Sequence, residues 1–255
     1  SGSETGGGGS SGGMNHCQLP VVIDNGSGMI KAGVAGCREP QFIYPNIIGR
    51  AKGQSRAAQG RARTLRGRPS SGLEELAVHQ LPSWSVGLIT SWEDMEIMWK
   101  HIYDYNLKLK PCDGPVLITE PALNPLANRQ QITEMFFEHL GVPAFYMSIQ
   151  AVLALFAAGF TTGLVLNSGA GGYPECAHLW RVNCLPHGVQ QLDLAGLDLT
   201  NYLMVLMKNH GIMLLSASDR KIVEDIKESF CYVAMNYEEE MAKKPRLSRE
   251  SLPTT

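Results

Sequence analysis

The stretch Val21-Val-Ile-Asp24-Asn-Gly26-Ser-Gly28-Met-Ile-Lys31-Ala-Gly33 decides how the rest of this chain of 255 residues is interpreted. A short apolar run ends at an acid, and glycines, a serine and a lysine follow closely, which predicts a strand, a tight turn and a second strand. Glycines allow backbone N–H groups to face an anion, while Ser27 adds a hydroxyl and Lys31 a positive charge. The stretch predicts a phosphate-binding loop with a metal held by Asp24; an ordinary glycine-rich hairpin is the alternative.

The spacing of this loop differs from that of the two commoner nucleotide-binding loops. A Walker loop needs Lys followed by Ser or Thr after its last glycine, whereas Val34 follows Gly33. The spacing of Gly26, Gly28 and Gly33 does not fit the dinucleotide-binding fingerprint either. A second stretch nevertheless supports phosphate binding, because Leu164-Val-Leu166-Asn167-Ser168-Gly169-Ala-Gly171 again places a polar residue and glycines after an apolar run. Two such hairpins predict two halves around one nucleotide.

Several phrases of the sequence carry a resemblance to a known family: Asp24-Asn-Gly-Ser-Gly, Asn124-Pro-Leu-Ala-Asn-Arg129, Ile149-Gln-Ala-Val152, Leu192-Asp-Leu-Ala-Gly-Leu-Asp-Leu-Thr200 and Asp225-Ile-Lys-Glu228. In them the chain resembles the actin family, within the group of actin, heat-shock chaperone and sugar-kinase ATPases, and looks like a divergent actin-related protein of the testis type. The resemblance implies an α/β fold of duplicated, actin-like domains around a nucleotide cleft. It implies a first domain at 14–153 and a truncated second domain at 154–255, because actins continue further, while the Gly- and Ser-rich composition of residues 1–13 predicts a flexible leader or linker.

The resemblance also implies the residues of a nucleotide site for ATP or ADP with Mg²⁺. The metal would be held by Asp24 and Asn167, and Gln150 matches a glutamine that orients the water attacking the terminal phosphate. The matching cofactor-binding residues are Asp24, Gly26, Ser27, Gly28, Met29, Lys31, Asn167, Ser168, Gly169, Gly171, Gly196, Lys227 and Glu228. For Lys227 and Glu228, a solvated helix face is the alternative explanation.

Three residues of the second loop region depart from the actin pattern. Asn167 and Ala170 stand where actins carry aspartates, and Pro174 stands where a histidine is expected. Replacing a carboxylate by an amide removes charge that a hard divalent ion favours. We therefore expect weak nucleotide binding and slow or absent turnover.

Three longer blocks, at 61–86, 172–183 and 245–255, match nothing in actins. The first holds Arg61, Arg63, Arg66 and Arg68 without strand alternation, which indicates an exposed basic loop or a stretch translated in a shifted frame. The second lies where the resemblance implies a strand-turn-strand, yet its sequence resembles nothing in actins, and the same frame-shift hypothesis applies. The third leaves the second half incomplete.

Periodicity predicts most of the remaining elements. Ser91-Trp-Glu-Asp94 has the form of a capping box, and apolar residues at helical spacing follow it up to Ile102. A strand is predicted at Val116-Leu-Ile-Thr-Glu, and a helix from Pro125 to about Leu140. Two further helices are predicted at about 196–210 and 219–243, with Ser216 or Ser218 as the cap of the second.

Composition excludes several classes of protein. The net charge of −2 gives no reason to expect nucleic acid or an anionic membrane as a partner, and no apolar run is long enough to span a bilayer. The six cysteines show no paired framework, which is typical of a reducing compartment. Cys176-x-His178 and Cys184-x2-His187 resemble a zinc motif, but the spacing fits no standard finger, and chance is the better explanation.

The sequence thus predicts an actin-related structural protein of the cytoskeleton. It would lie in the cytoplasm, with the nucleus as an alternative, and act through actin-binding partners such as profilin-like proteins rather than as a metabolic enzyme. No filament is expected from this chain. The alternatives are an ATP-dependent phosphotransferase of the sugar-kinase branch and a nonfunctional truncated product of an actin-related gene.

Overall fold

The computed structural model describes residues 19–46, 48–51, 77–80, 84–85, 88–89, 91–171, 175–214 and 216–243. They form two compact units, one ending at Tyr202 and the other beginning at Leu203. The leader at 1–13 and the block at 245–255 lie outside the described residues, so what the sequence predicts for them stays a prediction. Within the described part, no helix is long and apolar enough to cross a membrane.

The strands, in chain order, are β1 (Val21–Asn25), β2 (Met29–Val34), β3 (Phe42–Pro45), β4 (Ile48–Ala51), β5 (Ala77–Gln80), β6 (Trp84–Ser85), β7 (Leu88–Ile89), β8 (Val116–Glu120), β9 (Phe145–Ile149), β10 (Gly163–Asn167), β11 (Glu175–Trp180) and β12 (Asn183–Gln191). The α-helices are α1 (Trp92–His101), α2 (Leu126–Glu134), α3 (Gln150–Ala157), α4 (Gly196–Asn209), α5 (Ala217–Phe230) and α6 (Tyr237–Ala242). Wide π-helical turns extend α1 over Ile102–Leu107 and α2 over Met135–His139.

A five-stranded mixed sheet, in the order β3-β2-β1-β8-β9, is the centre of the first unit. The predicted strand-turn-strand at Val21 to Gly33 is confirmed, because β1 and β2 pair antiparallel with Asp24 opposite Lys31. Strands β1, β8 and β9 run parallel to one another. The carboxyl ends of these three strands therefore meet at one edge of the sheet. This arrangement is the α/β fold that the sequence predicts.

One face of this sheet packs on α1 and α2 and forms the main hydrophobic core. The largest fully buried side chains include Trp99, Tyr103 and Phe136, and the ring centroids of Trp99 and Phe136 lie 4.8 Å apart. The helical spacing predicted after Ser91 is confirmed, since Met95, Met98, Trp99 and Ile102 are all buried. The predicted capping box is wrong, however, because the Ser91 side chain makes no capping hydrogen bond.

A three-stranded antiparallel sheet, β10-β11-β12, has its own smaller core. Ala151 and Leu155 of α3 pack there against Ala177 and Leu179 of β11. In the block at 172–183, which was interpreted as unlike actins, residues 175–183 form β11, a turn and the start of β12, which is the strand-turn-strand that the resemblance implies there. The turn places Arg181 and Val182 at φ of 47° and 64°, a conformation that ordinary turn sequences provide with Gly or Asn.

Two predicted helices differ in their bounds. The helix predicted from Pro125 begins one residue later, with Pro125 as its N-cap, and Gly141 follows its end at a φ of 72°. The helix predicted at 219–243 is two helices, because the chain is extended at Cys231, where α5 ends, and Asn236 caps α6. The Ser216 cap is confirmed, since its side chain and that of Asp219 form a capping box.

The adjacent residues Phe136 and Phe137 give a direct test of the main core. Phe136 is fully buried, whereas Phe137 is 42% exposed. We expect Phe136→Ala to lower the free energy of unfolding by about 3–5 kcal/mol, because it leaves a cavity beside Trp99. Phe137→Ala should cost about 1 kcal/mol or less. Chemical denaturation of both variants measures this difference, and equal losses would contradict the assigned orientation of the helix.

Candidate functional site

Polar side chains follow the carboxyl ends of the three parallel strands. Asp24 lies near the end of β1, Thr119 near the end of β8, and Gln150 comes directly after β9. The Thr119 hydroxyl donates to Asp24 Oδ1 at 2.7 Å, and Gln150 Nε2 donates to the same oxygen at 3.3 Å. Sheets of this kind bind ligands beyond the carboxyl ends of their strands, so this edge is the place to look for a site.

Two further side chains extend this group of residues. Lys31, opposite Asp24 in the first hairpin, places Nζ 3.2 Å from Asp24 Oδ2. Asn167, at the end of β10, donates from Nδ2 to Gln150 Oε1 at 3.0 Å. The hydrogen bonds thus join both glycine-rich hairpins, which are widely separated in the sequence, into one polar network.

The turns of the two hairpins approach each other closely. A Cβ added at Gly28 would lie 2.4 Å from the Cβ of Ala170, and one added at Gly171 would lie 2.9 Å from the Ser27 hydroxyl oxygen. Neither position has room for a larger residue. Gly26 has the same restriction within its own turn, because a Cβ there would lie 2.5 Å from the Met29 carbonyl oxygen.

Gly196, at the start of α4, supports the second turn through the backbone. Its N–H donates to the Gly169 carbonyl at 3.1 Å, and the N–H of Leu197 donates to the Ala170 carbonyl at 2.6 Å. A Cβ added at Gly196 would lie 3.2 Å from the Gly169 carbonyl oxygen. A role of Gly196 near a nucleotide stays a prediction, whereas its backbone hydrogen bond to the second loop is direct.

A cavity of about 980 Å³ adjoins both turns. Of the residues predicted to form the site, those that line it are Asp24, Gly26, Ser27, Gly28, Met29, Lys31, Gln150, Asn167, Gly169 and Gly171. Ser168 is exposed on the second turn. Lys227 and Glu228 lie on α5 in the other unit, where Glu228 is exposed, and their predicted role in binding stays a prediction.

The family model for actin matches residues 17–217, which is more than half of the chain. The chain belongs to the actin family. The match covers both glycine-rich hairpins, Gln150 and Gly196, so all the residues of the polar network lie inside the actin region. The match also includes β11.

Three residues of this actin-family site were not predicted. Thr119 was assigned only to a strand, yet its hydroxyl bonds Asp24 and accepts from the Asn25 N–H at 3.0 Å. Asn46 is fully buried and holds the first turn, because its N–H donates to the Gly28 carbonyl and its Nδ2 to the Gly26 carbonyl, both at 3.0 Å. A polar residue ending an apolar strand is the signal that could have identified Thr119.

Glu175 is the third unpredicted residue, and it stands opposite Asn167 in the β10–β11 register. It lines the cavity, is only 4% exposed, and accepts from the Ala122 N–H at 2.9 Å. Burial raises the pKa of the Glu175 carboxyl above its usual range, although the bonds from Ala122 and Gln191 oppose this shift. Strand β11 therefore contributes a buried acid to the lining of the cavity.

The side chains around the cavity fit a hydrated magnesium ion and a phosphate chain. Asp24 provides carboxylate oxygens and Asn167 an amide oxygen, which are the hard ligands that Mg²⁺ prefers. Lys31 and the bare backbone of the glycine turns provide positive charge and N–H donors for phosphate oxygens. A bound magnesium ion would neutralise phosphate charge. Of the two residues predicted to hold it, Asp24 is the one that carries a carboxylate.

The cysteine and histidine residues of the zinc-like pattern do not form a site. Among the residues that the structure describes, no group of three or more His, Cys, Asp or Glu side chains could hold a metal ion. Cys176 and His178 lie on β11, and Cys184 and His187 on β12.

The close approach of the two turns gives the second prediction. Gly28→Ala should lower the free energy of unfolding by about 1–3 kcal/mol, because the new methyl group collides with Ala170. Gly169→Ala is the matched control: its added Cβ meets nothing within 4 Å, so a change of about 0.5 kcal/mol or less is expected.

Chemical denaturation measures both variants, and a double variant, Gly28→Ala with Ala170→Gly, tests the contact itself. Removing the Ala170 methyl group should restore part of the loss. If the double variant is as unstable as the sum of its single changes, the two turns do not touch in solution.

Proposed function

We propose that this actin-family chain is an actin-related structural protein of the cytoskeleton that holds ATP or ADP with Mg²⁺ in the cavity. The observation that supports the proposal is the line of hydrogen bonds from Asn167 through Gln150 to Asp24, with Lys31 on the other Asp24 oxygen. It brings the candidates for metal and phosphate binding in both hairpins close to Gln150, the candidate for orienting water on α3. The nucleotide would be a structural ligand of the cleft.

The proposed binding is weak. Asn167 supplies no negative charge to a divalent ion, and Lys31 already neutralises one oxygen of Asp24. A magnesium ion must therefore compete with Lys31 for that oxygen. Turnover would be slow or absent, so the protein is proposed to act through binding rather than as a metabolic enzyme.

The proposed partners are actin-binding proteins of the cytoskeleton, including profilin-like proteins. The protein is proposed to be of the testis type and to lie in the cytoplasm, with the nucleus as a second location. The net charge of −2 argues against nucleic acid or a membrane surface as a partner. Filament formation by this chain is not proposed. The sugar-kinase alternative is not favoured, because the family model that matches is the one for actin.

Titration calorimetry with Mg-ATP on the purified chain tests the proposal. We expect binding that Lys31→Ala weakens at least about tenfold, since a charged hydrogen bond to phosphate is lost. Lys100→Ala is the matched control, because Lys100 pairs with Glu96 on α1, which does not line the cavity.

Circular dichroism establishes that each protein is folded before titration. A folded chain that binds no ATP would contradict the proposed nucleotide site and leave an actin-like scaffold. A chain that does not fold would favour the remaining alternative, a nonfunctional product.

A further inference from the structure

We propose that Asn167 is a positioning residue that locks the side-chain amide of Gln150 in one orientation and thereby suppresses hydrolysis of a bound nucleotide. The part that concerns hydrolysis rests on the proposed nucleotide function. The lock itself is a property of the chain alone. The two parts can therefore be tested separately.

The lock consists of hydrogen bonds that all point toward Asp24. Asn167 Nδ2 donates to Gln150 Oε1 at 3.0 Å, and Gln150 Nε2 donates to Asp24 Oδ1 and to Thr119 Oγ1, both at 3.3 Å. Thr119 in turn donates to Asp24 Oδ1 at 2.7 Å. An ionised carboxylate only accepts hydrogen bonds, so Asp24 sets the direction of the whole line.

A donor at position 167 strengthens the preference for this one orientation. With Asn167 the Gln150 amide lies between a donor and an acceptor, and one of its two orientations satisfies both. With a carboxylate at 167 the amide would lie between two acceptors, and its carbonyl oxygen would face an acceptor in either orientation. The amide would then lose its fixed position.

The lock uses the groups that a water-orienting glutamine needs. Such an amide must donate to and accept from the same water molecule, but here Nε2 is directed to Asp24 and Thr119 and Oε1 to Asn167. In hydrolysis the water oxygen bonds to the terminal phosphorus while the bond to the bridging oxygen breaks. The bridging oxygen keeps the electron pair, and the water gives up one proton to the released phosphate. A locked Gln150 does not align water for this attack.

The first experiment measures hydrogen exchange of the Gln150 side-chain amide by NMR, in the folded chain without nucleotide. We expect Asn167→Asp to speed the exchange about tenfold, because a hydrogen bond that fixes the amide is lost. Asn167→Leu, which has a similar size and no donor or charge, should speed it similarly. Asn183→Asp, which makes the same charge change at the other end of the three-stranded sheet, beside the β11–β12 turn, should leave the exchange unchanged.

The second experiment measures single-turnover hydrolysis of Mg-ATP by the same variants. Asn167→Asp is expected to raise the rate at least about tenfold over the unmodified chain, and the Gln150→Ala change, added to it, should remove the gain. Exchange that is equally fast in all variants overturns the lock. Faster exchange without faster hydrolysis overturns its role in suppression. Absence of ATP binding refutes the proposed function, while the exchange data still decide the lock.

Discussion

The side chain of Asp24 is the point on which the arrangement of the site depends. Its two oxygens accept hydrogen bonds from Thr119, Gln150 and Lys31, which come from β8, α3 and β2. Since the residue is only partly exposed, these donors offset the cost of removing its charge from water. The carboxylate thereby fixes the relative positions of several elements, and through Gln150 it also connects to Asn167 in the second hairpin.

Parallel strands and small residues together make this convergence feasible. The parallel pairing of β1, β8 and β9 brings three strand ends to one edge of the sheet. The turns beyond that edge can approach closely because Gly28, Gly171 and Ala170 have almost no side chain. Asn46 and Gly196 then hold the turns by bonds to backbone carbonyls. The site of this actin-family chain is therefore formed mainly by backbone geometry, with a few polar side chains added.

Sequence reasoning succeeded where the signal was local. Both glycine-rich hairpins, β8, α1 and α4 follow from apolar runs, periodicity and nearby glycines, and the family resemblance supplied Gln150. Sequence reasoning failed where contacts between distant parts of the chain determine the structure. Thr119 contacts Asp24 across 95 residues of sequence, and Asn46 shapes a turn 20 residues away. The β11–β12 turn carries no local signal of its own, because Arg181 and Val182, held by bonds to Thr161 and Thr162, stand where turns usually have Gly or Asn.

The central claim is that both glycine-rich turns belong to one phosphate site. Backbone hydrogen exchange, measured by mass spectrometry with and without saturating Mg-ADP, tests it most directly. The account predicts that amides at 26–29 and at 169–171 become protected together, while the solvent-facing part of α2 is unchanged. Protection of only one turn, or of neither when nucleotide is bound, would contradict it.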